Sequence, residues 1–236
     1  MRGVFVTGTG TEVGKTVVAA AIANTARREG SRVSVFKPAV SGLVDYPPAP
    51  ETWASADELP DHALLRLAAG SAQQDDEIAP YRYGPPVSPH LGAELAGEPI
   101  DPDRLRGAAL AAGRVADLLV CEGVGGFLVP LTPGYLVRDL ARDLALPVVV
   151  AADPGLGTIN HTLLTVESVR AAGLEVACVV LNRWPADPSP LERSNLETIE
   201  RIGRVAVRTL PQLDLRRPEG WPALGPAWTE RRLEAA

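Results

Sequence analysis

Residues 4–16 read Val-Phe-Val-Thr-Gly-Thr-Gly-Thr-Glu-Val-Gly-Lys-Thr, a short β-rich apolar run, a glycine-rich turn, and Lys-Thr where a helical stretch opens. A loop of this kind binds phosphate only if a strand delivers it and a helix leaves it, so the segment fixes a strand-loop-helix unit at the start of the fold. Glycines let successive backbone N–H groups turn toward phosphate oxygens, and the helix N-terminus adds partial positive charge. Lys15 is placed to reach the β and γ phosphates and the Thr16 hydroxyl to ligate Mg²⁺. Thr9 stands where the common pattern has its first glycine, and Gly8 comes one residue earlier, so the loop is one residue longer. ATP or a relative is the implied ligand, while the loop alone leaves the reaction open.

Beyond this unit, short apolar runs alternate with segments of helical period, the pattern of an α/β, three-layer fold: a mostly parallel sheet with helices on both faces, P-loop NTPase-like. Strands are expected at residues 3–7, 32–37, 117–121, 147–152, 175–181 and 205–209. Helices are expected at residues 15–29, 61–69, 102–116, 136–144, 158–172 and 191–202. Gly30 and Gly173 stand just past two helix ends, and Asp101-Pro102 is a capping pair at the start of another. No internal repeat or dividing linker is visible, so residues 1–236 are read as a single domain with an unassigned tail from about 215. Trp221 and Trp228 point to that tail packing back on the domain. The Pro-rich stretch 40–60 and residues 80–89, with Pro85-Pro86 and Ser88-Pro89, are expected to lack regular structure, and long loops in a compact domain are more often functional than accidental.

Composition removes several function classes. The formal charge is −6, and of 23 basic residues 21 are scattered arginines, so the chain lacks the basic footprint of a nucleic-acid binder or a polybasic membrane anchor. The run Val4–Val6 is too brief for a signal peptide, and residues 145–152, the longest apolar run, cannot cross a bilayer, which needs about 20 residues. A cytoplasmic protein with no nucleic-acid or membrane partner is expected. Cys121 and Cys178 lie in apolar runs without metal-ligand spacing and read as buried small hydrophobes.

The two remaining basic residues are Lys15 and Lys37, the only lysines in the chain. Lys37 ends the second expected strand, at the same sheet edge as the phosphate loop, where a cation would meet a γ-phosphate or an anionic substrate. Mg²⁺ usually takes one or two protein carboxylates. Glu122 ends the apolar run Leu118–Cys121, and a carboxylate at the carboxyl edge of a parallel strand points into the ligand crevice. Asp61 opens a helix after the long loop; a metal ligand and a simple helix cap look the same there from sequence.

Five blocks in this order carry a resemblance: Gly8-Thr9-Gly10-Thr11-Glu12-Val13-Gly14-Lys15-Thr16; Lys37-Pro38 with Ser41-Gly42; Pro86-Val87-Ser88-Pro89-His90; Glu122-Gly123-Val124-Gly125-Gly126; and Gly157-Thr158-Ile159-Asn160-His161. Together they resemble the dethiobiotin synthetase family, over residues 4 to about 211. The resemblance implies an ATP- and Mg²⁺-dependent ligase that closes a cyclic urea on 7,8-diaminopelargonic acid with CO₂ or bicarbonate, yielding dethiobiotin, ADP and phosphate in biotin biosynthesis.

Carried over by position, the resemblance implies that Glu12, Val13, Gly14, Lys15, Thr16 and Val17 hold the nucleotide phosphates. Thr16, Asp61 and Glu122 surround Mg²⁺, and Lys37 and Lys15 are the catalytic lysines. Gly123, Val124 and Gly125 face the nucleotide or diamine, with Val124 standing where the family commonly has alanine. Asn182 reads adenine, with Arg183, Pro211, Gln212 and Leu213 nearby. Thr11 and Ser41 contact substrate. The family's homodimer further implies that Gly157, Thr158, Ile159 and Asn160 offer a helix N-terminus to the substrate carboxylate bound in the other subunit; His161 is as readily structural as functional.

Two other readings share the core fold. A partition-type nucleotide-switch ATPase uses a further lysine early in the loop, where this chain has Gly8, Thr9 and Gly10. Other ATP-dependent ligases of this core often add an amidotransferase unit for which the chain has no room.

Overall fold

The computed structural model describes residues 1–43 and 59–224. Six parallel strands form one sheet: β1 (Gly3–Gly8), β2 (Val33–Phe36), β3 (Leu118–Glu122), β6 (Val148–Ala152), β7 (Val176–Trp184) and β8 (Val207–Pro211), in the order β2-β3-β1-β6-β7-β8. A short antiparallel pair, β4 (Pro130–Thr132) and β5 (Tyr135–Leu136), stands apart from it.

The alternation of side chains along each strand divides the core in two. Phe5, Leu119, Cys121, Val148, Val150, Val179 and Leu181 face one side, where α5 (Pro102–Arg114), α6 (Val137–Leu144), α7 (Thr158–Ala171) and α8 (Pro190–Gly203) cover them. Val4, Val6, Val120, Val149, Cys178 and Val180 face the other, under α1 (Lys15–Arg28) and α2 (Asp61–Ala69). Strands buried on both faces need near-continuous apolar sequence, which explains why they were legible as unbroken runs. Both cysteines are fully buried, as expected.

Helix ends follow their punctuation. The Asp101 side chain accepts from Asp103 N at 2.9 Å, and Gly30 and Gly173 take the left-handed conformation just past α1 and α7. Three elements were not expected: α3 (Asp75–Ile78), α4 (Pro89–Ala96) and the β4-β5 pair. The expectation that residues 80–89 lack regular structure is corrected at both ends. Pro89 occupies the first turn of α4 after Ser88, where its missing N–H costs nothing, and Val40 bridges Arg82 in parallel, with Tyr83 N donating to Val40 O at 2.8 Å.

Among the described residues no strand lies on the outer side of the edge strand β2. There Val35 N donates to Gln73 Oε1 at 2.8 Å and Gln73 Nε2 donates to Val35 O at 3.0 Å, so one side-chain amide takes the place of a neighbouring residue. The tail is assigned through Leu224. Residues 212–224 run back over α1, burying Leu213, Trp221 and Leu224, with Asn24 Nδ2 donating to Pro218 O at 2.8 Å and Arg28 to Trp221 O at 2.8 Å. Trp228 and most of the Pro-rich stretch 40–60 lie outside the described residues. Among the described residues no helix is long and apolar enough to cross a membrane.

Candidate functional site

The carboxyl ends of the parallel strands deliver the candidate residues to one rim. β1 ends at Gly8 before the loop, Lys37 follows β2, Glu122 ends β3, Asp153 follows β6, and Asn182 and Arg183 lie at the end of β7. A cleft of about 750 Å³ opens above this rim. Its lining includes Thr11, Glu12, Gly14, Lys15, Thr16, Val17, Lys37, Ser41, Asp61, Glu122, Val124, Gly125 and Arg183, joining four of the five sequence blocks.

Two left-handed residues shape the loop, Glu12 with φ 63° and Gly14 with φ 85°. Lys15 Nζ donates to Gly10 O at 2.8 Å, curling over the loop, and Val18 N donates to Gly14 O, starting the helical ladder. Below the loop Thr16 Oγ1 donates to Glu122 Oε1 at 2.9 Å. The same Glu122 oxygen lies 2.5 Å from Lys37 Nζ, and Lys37 Nζ lies 2.7 Å from Asp61 Oδ2. The Lys37 and Glu122 side chains are 3% and 0% exposed, whereas Asp61 is 45% exposed and opens to the cleft. Asp61 makes no helix-capping hydrogen bond, since Pro60 occupies the cap position of α2; its partner is Lys37. Of the two roles that sequence left equivalent, the helix cap is the one the structure does not show.

Burial opposes every charge in this cluster, and the neighbours decide each outcome. Burial would lower the Lys37 ammonium, but Asp61 and Glu122 outweigh it and hold it above the usual lysine range. Burial raises the Glu122 carboxyl, and the lysines temper that rise without reversing it. For Asp61 burial also acts upward, but the Lys37 charge wins and the carboxyl falls below its ordinary value. Lys15 is lowered, chiefly by burial and further by Lys37, against the pull of Glu122.

The oxygens of Thr16, Asp61 and Glu122 are hard donors of the kind Mg²⁺ prefers; the two carboxylates meet at the Lys37 ammonium, the Thr16 hydroxyl bonds to Glu122, and Glu122 Oε2 is buried without a hydrogen-bond partner. They fit the ion. Among the described residues no group of three or more His, Cys, Asp or Glu side chains is placed to cage a metal unaided.

A family model described as an AAA domain matches residues 2–217. The ATP-dependent dethiobiotin synthetase BioD of Anaeromyxobacter dehalogenans is 42% identical over 202 residues, 86% of each chain. The chain belongs to the dethiobiotin synthetase family. The dethiobiotin synthetase of Bacillus subtilis is 33% identical over 207 residues, covering 88% of this chain and 85% of that one. Among solved structures, the cell division ATPase MinD of Pyrococcus furiosus superposes with a TM-score of 0.54 at 18% identity, covering 94% of this chain and 90% of that one. MinD of Pyrococcus horikoshii, complexed with Mg-ADP, gives 0.53 at 16%, with 94% and 87% covered. At those identities the likeness is one of fold: the three-layer α/β core with its phosphate loop.

Within the family's expected site, some residues stand differently from the simplest picture. Asn182 is 2% exposed and lies under the loop, its Nδ2 donating to Val13 O at 3.3 Å and its Oδ1 buried without a partner. Leu213 is turned into the core, and Leu215 lines the cleft instead. Gly157, Thr158, Ile159 and Asn160 open α7 at the same rim but do not line the cleft; Thr158 is buried, its hydroxyl 3.3 Å from that of Thr162. Asp153 was missed. It pairs with Arg183, whose guanidinium also donates to Glu12 O at 2.9 Å, so the end of β7 is tied both to the phosphate loop and to the segment before α7. A lone aspartate after an apolar strand gives no warning of such a role; only the Asp-Pro-Gly sequence marks the turn.

Proposed function

We propose that this chain is an ATP- and Mg²⁺-dependent ligase that closes a cyclic urea on 7,8-diaminopelargonic acid with CO₂, giving dethiobiotin, ADP and phosphate, as its family relationship implies. The single observation that carries the reading is the convergence of Lys15, Lys37, Thr16, Asp61 and Glu122 beneath a phosphate loop, in a cleft that Ser41 and Val124 also line. Moving a phosphoryl group onto a carbamate brings two anions together, so alignment and concentrated positive charge matter more than a covalent nucleophile. Lys15 and the loop N–H groups neutralise the nucleotide phosphates. Lys37, on the opposite wall, faces the acceptor. Ser41 and Thr11 orient the diamine. Held by Thr16, Asp61 and Glu122, Mg²⁺ would neutralise charge on the phosphate oxygens.

Arg183 donates to the carbonyl of the left-handed Glu12, and in this reading Asn182, Pro211, Gln212 and Leu213 serve the adenine side. The working unit in this reading is a homodimer in which Gly157, Thr158, Ile159 and Asn160 of a second copy meet the substrate carboxylate. Leu156, 91% exposed just before that helix, and Leu164, exposed within it, give a second copy an apolar surface to cover. The reaction belongs to the cytoplasm, without nucleic-acid or membrane partners.

The test is substrate dependence. Purified protein with Mg²⁺ and ATP should release ADP and phosphate only when bicarbonate and the diamine are both present. Brisk turnover without the diamine would favour a nucleotide-switch ATPase, the reading that the MinD-like core keeps in play.

A further inference from the structure

The carboxylates assigned to Mg²⁺ already hold a cation that belongs to the chain. Lys37 Nζ sits 2.5 Å from Glu122 Oε1 and 2.7 Å from Asp61 Oδ2, and Thr16 Oγ1 donates to the same Glu122 oxygen. We propose that Lys37 is the resident cation of the metal site in the nucleotide-free enzyme, and that a divalent cation enters by displacing its ammonium, which is thereby freed to face the anions that arrive with the nucleotide. The inference rests on the metal-site reading above.

Charge balance opposes a dication entering the intact cluster on its own. Lys15 and Lys37 match Asp61 and Glu122 one for one, and of the four only Asp61 has substantial exposure. A dication added to the intact cluster would leave two positive charges uncompensated beside groups that solvent hardly reaches, an arrangement strongly disfavoured in a low-dielectric site. Either Lys37 withdraws or an anion comes in, and nucleotide phosphates allow both at once. The donor set agrees. Among the described residues two carboxylates and one hydroxyl make up the donor set, without a surplus of ligands to hold a divalent cation against an ammonium already hydrogen-bonded to both carboxylates. Glu122 Oε2, buried and unpartnered, is the acceptor that Lys37 leaves unused. Metal and nucleotide should therefore bind cooperatively, with Lys37 as the element that couples them.

The experiment measures Mn²⁺ binding to the full chain by electron paramagnetic resonance of the free ion, with and without ADP. Wild type should hold Mn²⁺ weakly alone and at least about tenfold more tightly with ADP; Lys37→Met should gain about tenfold or more without nucleotide, and the double variant with Glu122→Gln should lose that gain. Equal affinity of wild type and Lys37→Met without nucleotide overturns the exchange and leaves the metal site standing. Failure of wild type with ADP to hold Mn²⁺ overturns the metal site itself, and the exchange with it. Should Lys37→Met not fold, the wild type suffices: with ¹⁵N-lysine the chain has only two side-chain ammonium groups. Adding Mg²⁺ to the ADP-loaded chain should shift the Lys37 signal and speed its hydrogen exchange with solvent. An unmoved Lys37 signal at saturating Mg²⁺ overturns the exchange.

Discussion

A Cβ placed on Gly14 would lie 1.9 Å from Asn182 Nδ2, far inside van der Waals contact, and Gly14 holds φ at 85°. The loop residue that precedes Lys15 is thus fixed by two independent demands, a left-handed backbone and a side chain pressed beneath it. Gly14→Ala is expected to cost about 1–3 kcal/mol of stability from backbone strain alone and to weaken ATP binding on the order of a hundredfold through displacement of the loop. Adding Asn182→Ala should recover part of the loss, because it removes the collision and leaves the strain. Nucleotide affinity by calorimetry across the single and double variants reads the two contributions separately.

Lys37→Arg and Lys15→Arg each keep the charge and lose the shape. A planar guanidinium cannot occupy the point between Glu122 and Asp61 where the Lys37 ammonium fits, nor curl from the first turn of α1 to Gly10 O as Lys15 does. Turnover should fall on the order of 10²–10³-fold in each. Lys37→Arg should leave ATP affinity without Mg²⁺ nearly unchanged, whereas Lys15→Arg should lower it. Single-turnover rates beside equilibrium nucleotide binding distinguish the two.

Trp221 is 4% exposed; its indole N–H donates to Asp214 O at 2.8 Å, and its carbonyl accepts from Arg28. Trp221→Ala is expected to destabilise the fold by about 3–5 kcal/mol. Trypsin should then cut after Arg216, whereas the Arg217-Pro218 bond resists it, before the remainder of the domain unfolds. Denaturant titration and timed proteolysis measure both effects.

Arg32 and Asp117 form an exposed pair between the starts of β2 and β3, with hydrogen bonds at 2.9 and 3.1 Å from the guanidinium and 2.9 Å from Arg32 N. Those hydrogen bonds, ahead of simple charge attraction, lower the Asp117 carboxyl from 3.8 to about 2. The unfolded chain therefore binds a proton before the folded one does. The contribution is complete above about pH 4 and fades as pH falls toward 2. Thermal midpoints of wild type and Asp117→Asn should differ at pH 6 and converge as pH is lowered below 4.

Much of this molecule is legible in sequence because its signals are local. The buried strands read as apolar runs, and the phosphate loop carries its own geometry in Gly8, Gly14 and Lys15. Lys37 and Glu122 stood out at strand ends, and their mutual contact follows from the parallel register of β2 with β3. The misses have physical causes. Ser88-Pro89 reads as a break, although proline in a first turn starts a helix as readily as it ends one. Sequence also does not separate the side chain of Leu213, which packs into the core, from that of Leu215, which lines the cleft. Asp153 acquires its role from Arg183, a residue on another strand, and no spacing along the chain encodes that meeting.

Gln73 has a consequence for how the molecule behaves among its own kind. A parallel sheet that stops at a strand offers its outer backbone as a template, and a second polypeptide can extend it indefinitely. By bonding both the N–H and the carbonyl of Val35, one glutamine amide removes the central rung of that template. At this edge a single side chain thus stands in for a neighbouring strand, and Gln73→Ala should expose Val35 to pairing with a second polypeptide.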